Sequence, residues 1–141
     1  MKRNQVNNKV TKQKNNDDGP LPTGQRILVA EDDDGISDIF KIIFEEAGYI
    51  TDIKTNGADL LKNNFEIPDL FLIDKNLPGP NGLDICLFLK SQKLTSHIPV
   101  ILISAAPDIG SLSREVRADG YVKKPFDITQ LLNTVRYHIN K

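Results

Sequence analysis

The sequence predicts an α/β fold, in which a parallel sheet of five strands is covered by helices on both faces. Two observations predict it: short continuous apolar runs typical of buried parallel strands, and amphipathic helical patterns that alternate with them. At 141 residues the chain has room for one domain with a single core. Because crossovers between parallel strands are right-handed, strict alternation of strands and helices places helices on both faces.

Five strand runs alternate with five helical segments along the chain. The predicted strands are 27–30, 50–54, 69–73, 98–103 and 120–122, and the predicted helices are 36–47, 57–64, 83–89, 111–117 and 127–139. The first helix has the clearest periodicity, with apolar residues spaced three and four apart from Ile36 to Ala47. At this length we expect a flavodoxin-like, doubly wound sheet with strand order 2-1-3-4-5.

Composition and charge limit the classes of function. Residues 1–24 are polar and rich in Asn and Lys, and they predict a disordered leader before an ordered domain at 25–141. The formal net charge of -1 gives no general attraction to nucleic acid or to anionic membranes. A single cysteine excludes an internal disulfide framework, and no apolar run is long enough to cross a bilayer. We therefore expect a cytoplasmic protein that binds neither nucleic acid nor membrane.

Polar side chains follow four of the predicted strands at their carboxyl ends. Glu31 and Asp32 follow strand 1, and Asp74 follows strand 3. Ser104 ends strand 4, and Lys124 comes just after strand 5. In a sheet of this order the functional crevice lies at the carboxyl edge, where the strand order reverses between strands 1 and 3. We expect these five side chains to converge there.

The three acidic residues at this edge predict a metal site. Two carboxylates about 4 Å apart repel each other by several kcal/mol at an effective dielectric constant near 20, and a divalent cation would remove that repulsion. Oxygen ligands favour a hard ion, and Mg²⁺ takes one or two carboxylates together with waters and a phosphate oxygen. We therefore predict that Glu31, Asp32 and Asp74 bind Mg²⁺, with the backbone carbonyl of Asn76 completing the set of ligands.

A carboxylate, a cation, a lysine and a hydroxyl are sufficient for phosphoryl transfer. In this scheme Asp74 attacks phosphorus and forms an acyl phosphate. Lys124 pairs with one phosphoryl oxygen, and Ser104 hydrogen-bonds another. The Asn76 side chain would border the path of the water that later removes the phosphoryl group.

Four segments, ILVAEDD, PDLFLIDKNLPGPNGLDIC, IPVILISA and ADGYVKKPFD, resemble in order the motif blocks of two-component response regulator receiver domains of the chemotaxis-regulator type. The resemblance extends from Arg26 to the C-terminus. It places the acidic pair on Glu31 and Asp32, the phosphoacceptor on Asp74, the hydroxyl switch on Ser104, the switch aromatic on Tyr121 and the lysine on Lys124. It also implies a cis peptide bond between Lys124 and Pro125.

The resemblance implies a function as well. A histidine kinase or a histidine phosphotransfer protein would donate the phosphoryl group, and the face made by helix 4, strand 5 and helix 5 would then switch toward an unidentified downstream protein. Enzymatic chemistry would be limited to self-phosphorylation and slow autodephosphorylation, and a weak homodimer would be compatible with this role. No output domain follows the last helix, so we expect either a stand-alone receiver, which is slightly favoured, or a receiver cut from a longer protein. The stretch 105–119 looks shorter than the family pattern, which implies a short or loose helix 4.

Three other classes of protein share part of this pattern. A degenerate receiver would bind a partner without phosphorylation, although the set of acids, hydroxyl and lysine is complete. A phosphatase of the haloacid dehalogenase type also has an aspartate nucleophile after a strand, but Asn76 occupies the position of its second aspartate. A flavodoxin is disfavoured because strand 1 leads into acids, where a flavin phosphate requires a loop rich in hydroxyls or glycine.

Overall fold

The structure, a computed structural model, describes residues 22–141. Its strands are β1 Arg26–Ala30, β2 Ile50–Lys54, β3 Leu70–Asp74, β4 Val100–Ser104 and β5 Gly120–Lys123, and its helices are α1 Asp34–Glu46, α2 Ala58–Leu61, α3 Gly82–Ser91, α4 Ile109–Glu115 and α5 Ile128–Ile139. Most of the predicted leader lies outside the described residues. Within the described part, no helix combines the length and the hydropathy needed to span a membrane.

The five strands form one parallel sheet in the order β2-β1-β3-β4-β5, which confirms the predicted fold. The register pairs Ala30 of β1 with Ile73 of β3, and Asp74 of β3 with Ile103 of β4. The carboxyl ends of the three central strands therefore finish at nearly the same level. Side chains at or just after these ends meet at one edge of the sheet.

The central strands are buried on both faces, as their continuous apolar runs predict. One face carries a core that the strands form with α1 and α5, and its fully buried aromatic residues are Phe40 and Phe44. The other face packs against α2, α3 and α4, with Leu60, Ile85 and Ile109 as buried representatives of these helices. Helices thus cover both faces, as expected for a doubly wound sheet.

Three helices begin at a side-chain cap. The side-chain oxygens of Asp33, Asn81 and Asp127 each accept a hydrogen bond from the N–H three residues later, at 2.9, 3.0 and 2.7 Å. Such caps satisfy a backbone donor that has no partner inside the helix, and each is worth about 1 kcal/mol. They fix the first turns of α1, α3 and α5. Helices α1 and α3 directly follow the loops after β1 and β3.

The predicted bounds of two helices were wrong. The second helix ends at Leu61 instead of residue 64, because Asn63 adopts a positive φ of 55° that ends helical geometry. The fourth helix occupies Ile109–Glu115, two residues earlier than predicted, and Arg117 with a φ of 62° prevents its continuation. The prediction of a short helix 4 agrees with its length of 7 residues.

Gly82, the first residue of α3, lies against the backbone at the end of β3. Its N–H donates to the carbonyl of Lys75 at 2.9 Å. A Cβ at this position would clash with the carbonyl oxygen of Asp74 and would lie 2.7 Å from Lys75 Cα. A glycine is therefore required for α3 to start so close to the strand that carries Asp74.

We predict that Gly82→Ala lowers the free energy of unfolding by about 1–3 kcal/mol, the usual cost of overpacking against atoms that cannot move aside. Urea denaturation measures this change. The matched control is Gly35→Ala in α1, where the nearest atom to the added Cβ is a side-chain oxygen of Asp33 at 3.3 Å. We expect the control to change stability by less than about 1 kcal/mol. Equal stabilities of the two variants would contradict the close approach.

Candidate functional site

Asp74 lies at the carboxyl edge of the sheet with both carboxylate oxygens engaged. It is the last residue of β3 and is 4% exposed. Lys124, just after β5, places its Nζ 2.8 Å from Asp74 Oδ2. The backbone N–H of Asn76 donates to Asp74 Oδ1 at 2.8 Å. The structure thus brings the predicted nucleophile and the predicted lysine into direct contact.

These contacts determine the protonation state of Asp74. Burial raises the pKa of its carboxyl group, but the interactions with the Glu31 carboxyl group, with Lys124 and with the Asn76 N–H outweigh burial. The pKa of Asp74 therefore lies below its ordinary value. Asp74 is ionised at neutral pH, which is the state required of a carboxylate nucleophile.

Glu31 is the second buried carboxyl group at this edge, with 2% of its surface exposed. Its Oε2 accepts from the N–H of Asp33 at 3.1 Å, whereas its buried Oε1 has no hydrogen-bond partner among the described residues. Burial, and next the interaction with the Asp74 carboxyl group, raise the pKa of Glu31 to about 7. Near neutral pH Glu31 is therefore only partly ionised, whereas Asp74 is ionised.

Asp32 is exposed, unlike its neighbour Glu31. Within residues 22–141, no group of three or more His, Cys, Asp and Glu side chains is placed to hold a metal ion. Of the three expected ligands, Glu31 and Asp74 are buried together at this edge, whereas Asp32 is exposed. An exposed Asp32 avoids the repulsion, about 4 kcal/mol per pair at 4 Å and an effective dielectric constant of 20, that three gathered carboxylates would create.

The residues present nonetheless fit a hard divalent cation. Glu31 Oε1 is a buried oxygen without a partner among the described residues, and the Glu31 carboxyl group interacts with the ionised Asp74. Mg²⁺ accepts one or two carboxylates and completes its shell with water, so a preassembled group of three acids is not required. The chemistry of the donors is that of Mg²⁺ rather than of a transition metal, which would favour His or Cys.

Ser104 and Tyr121 lie on β4 and β5, and no hydrogen bond joins either side chain to Asp74 among the described residues. Ser104 ends β4 and is 1% exposed, and its Oγ accepts from the N–H of Ala106 at 3.0 Å. Tyr121 in β5 is 46% exposed. The hydroxyl of Ser104 is therefore engaged by the loop after β4, and the aromatic ring is about half exposed.

Two residues that support the site were not predicted. Asp33 caps α1 with its side chain, and its N–H binds Glu31. The sequence did contain a signal for this cap, an aspartate directly before a helical pattern. Gly82 had no such signal, because its role depends on contact with the backbone of Asp74. The Lys124–Pro125 peptide bond is cis, as the resemblance implied.

Comparison with known proteins identifies the family. Residues 27–136 match the family described as the response regulator receiver domain. The chain belongs to this family. Phosphoryl acceptance is the general function of receiver domains, and histidine kinases are the donors.

One relative is the DNA-binding response regulator MtrA of Mycolicibacterium smegmatis, to which the chain is 35% identical over 120 residues. The match covers 83% of this chain and 51% of MtrA. The chain thus spans about half the length of this relative.

Two solved structures share the fold. The signal receiver domain of a signal transduction histidine kinase from Syntrophus aciditrophicus is 31% identical, with a TM-score of 0.77 over 83% of this chain and 91% of that one. The receiver domain of sensor histidine kinase PA1611 from Pseudomonas aeruginosa PAO1 is 21% identical, with a TM-score of 0.75 over 84% and 100%. The latter domain is described with a magnesium ion coordinated in its active site cleft, and its likeness to this chain is one of fold.

The raised pKa of Glu31 predicts a pH dependence of stability in metal-free buffer containing a chelator. Between the ordinary value of 4.5 and about 7, the folded protein binds more protons than the unfolded chain. Stability should therefore be highest below pH 4.5 with respect to this group and fall by up to about 3 kcal/mol as the pH rises through 7. The lowered pKa of Asp74 has the opposite effect, but only in acid, below its ordinary value of 3.8.

Urea denaturation between pH 4.5 and 8 checks this prediction. Glu31→Gln serves as the matched variant, since it keeps the shape of the side chain and cannot ionise. We expect it to flatten the decline and to be more stable than the original protein at pH 8. The assignment is wrong if both proteins show the same slope.

Proposed function

We propose that Asp74 of this receiver accepts a phosphoryl group from a histidine kinase or a histidine phosphotransfer protein, with Mg²⁺ bound beside it. The observation that carries the proposal is the 2.8 Å ion pair between Lys124 Nζ and Asp74 Oδ2 at the carboxyl edge of the sheet. It keeps a nearly buried aspartate ionised and holds a cation where the charge of the phosphoryl oxygens would lie. Both are required for phosphoryl transfer to a carboxylate.

In the proposed step, an Asp74 carboxylate oxygen forms a bond to phosphorus while the bond from phosphorus to the donor's imidazole nitrogen breaks. The electron pair of the broken bond stays on that nitrogen, and the proton on the other ring nitrogen lets the donor leave as neutral imidazole. Lys124 moves its ammonium from the carboxylate to a phosphoryl oxygen. Ser104 turns its hydroxyl from the Ala106 N–H toward another phosphoryl oxygen and donates to it.

The residues that would hold Mg²⁺ are Glu31, Asp32, Asp74 and the backbone carbonyl of Asn76. When bound, Mg²⁺ supplies positive charge against the oxygens of the transferring group. Glu31 must lose its proton to serve as a ligand, and its unpartnered Oε1 supports this role. Asp32 would turn from its exposed position toward the other two carboxylates, whose charge the ion compensates.

The proposed output is a change in the face made by α4, β5 and α5, read by a downstream protein. Tyr121 would turn inward as Ser104 moves toward the phosphoryl group, which is a shift between two populations. The receiver at 25–141 would act through protein contacts in the cytoplasm, with no direct contact to nucleic acid or membrane. Its own chemistry would be limited to phosphorylation and slow autodephosphorylation, in which the exposed Asn76 side chain borders the attacking water.

We predict that acetyl phosphate with Mg²⁺ adds one phosphoryl group to this protein, and that Asp74→Asn abolishes the addition because an amide is not a nucleophile. Intact-mass spectrometry measures the adduct. Asp38→Asn on the exposed surface of α1 is the control and should be phosphorylated normally. Absence of an adduct on the unaltered protein would instead support a degenerate receiver that binds its partner without phosphorylation.

We also predict that Lys124→Ala and Ser104→Ala keep their Mg²⁺ affinity but lose most of the switch. Lys124→Ala should bind Mg²⁺ at least as tightly, because it removes a positive charge beside the site. Its phosphorylation rate should fall at least about tenfold, since one charge that stabilises the transition state is lost. NMR titration with Mg²⁺, followed by acetyl phosphate, separates metal binding from changes in α4 and β5. Loss of Mg²⁺ binding in either variant would show that the roles are wrongly divided.

A further inference from the structure

Gly110 lies in the first turn of α4, directly against the side chain of Tyr121. A Cβ built on Gly110 would be 3.3 Å from the tyrosine hydroxyl oxygen, 3.4 Å from Cζ and 3.5 Å from Cε1. One edge of the ring thus borders the space that a side chain at position 110 would fill. Because Gly110 has no side chain, the ring of Tyr121 can lie against the backbone of α4. We call this position, formed by Gly110, the tyrosine seat.

The tyrosine in this seat has the outward orientation. Tyr121 is 46% exposed, although it pairs in register with the fully buried Leu102 of β4. Ser104, two residues along β4 from Leu102, accepts a hydrogen bond from the Ala106 N–H at 3.0 Å, so its hydroxyl is engaged by the loop after β4. Gly110, the outward ring of Tyr121 and the hydrogen-bonded hydroxyl of Ser104 together form the proposed resting state of the switch.

A glycine inside α4 is unfavourable for the helix itself. Glycine is a poorer helix former than alanine, and α4 has 7 residues, of which Ile109 and Ser113 are the buried ones. The buried hydroxyl of Ser113 has no hydrogen-bond partner among the described residues. A helix with so few stabilising contacts would gain from alanine at position 110, so the contact with Tyr121 supplies a reason for glycine that helix stability does not.

We infer that Gly110 is a positioning residue, which sets the resting state of the switch by holding Tyr121 outward. The inference rests on the proposed function, because it takes Tyr121 as the switch residue. A side chain at position 110 raises the free energy of the outward orientation and leaves the inward one unaffected. Because the inward tyrosine and a bound phosphoryl group favour each other, the population shift increases affinity for a phosphoryl mimic.

The test compares Gly110→Leu and the milder Gly110→Ala with Ser111→Leu, which places the same side chain on the neighbouring, exposed residue of α4. Ring position is measured in the unphosphorylated proteins from NMR contacts between the Tyr121 ring and residue 110. Affinity is measured with beryllium fluoride in the presence of Mg²⁺. Each substitution is also made in a Tyr121→Ala background, where no ring occupies the seat.

We expect the ring of Tyr121 to leave the seat in Gly110→Leu, and affinity for beryllium fluoride to rise about threefold to tenfold, the range for one side-chain contact. Gly110→Ala should give a smaller shift in the same direction and covers the case in which leucine prevents folding. Ser111→Leu should change neither quantity. In the Tyr121→Ala background, the effect on affinity should disappear.

Three results would overturn the inference: a ring that stays in place in both Gly110 variants, an affinity gain that persists without Tyr121, or an equal gain in Ser111→Leu. Failure of the proposed function looks different. In that case the unaltered protein binds no beryllium fluoride, while the ring position still decides whether Gly110 holds the tyrosine outward.

Discussion

Two buried carboxyl groups at one edge of the sheet, Glu31 and Asp74, impose the constraint on which the site depends. They are 2% and 4% exposed, so neither charge is solvated by water, and two such charges close together are costly. The pKa values of the two carboxyl groups are shifted in opposite directions. Lys124 pairs with Asp74 and keeps it ionised, whereas the pKa of Glu31 rises to about 7 and it holds a proton near neutrality.

The different states of Asp74 and Glu31 leave groups at this edge of the sheet available to a phosphoryl group and a cation. The partner of Asp74 is a flexible lysine that can follow charge onto a phosphoryl oxygen, and Glu31 keeps one oxygen, Oε1, without a partner among the described residues. A cation would compensate the buried carboxyl groups of Glu31 and Asp74, and a phosphoryl group would offer a new partner to the Lys124 ammonium. The capped start of α1 at Asp33 and the glycine at position 82 keep the surrounding backbone close enough for this crowding to persist.

The sequence was sufficient for the fold and for placing Asp74 and Lys124 at the same edge of the sheet, because both follow from strand order. Apolar runs identify the buried strands, and parallel pairing brings their carboxyl ends to one edge. The ends of α2 and α4 were missed because the backbone angles of Asn63 and Arg117 leave no trace in hydrophobic periodicity. Gly82 and Gly110 could not be assigned either, since each acts through contact with another segment of the chain.

The backbone around the site leaves little freedom except in side chains and α4. The Lys75 N–H donates to Ile103 at 3.0 Å and the Lys124 N–H donates to Ser104 at 2.9 Å, so the ends of β3, β4 and β5 are tied together. Rotation of the Ser104 hydroxyl breaks none of these bonds. α4, by contrast, starts without a side-chain cap and buries the Ser113 hydroxyl, which has no hydrogen-bond partner among residues 22–141. A change at Asp74 would therefore be transmitted through side-chain rotation into this short, uncapped helix, while the sheet stays in place.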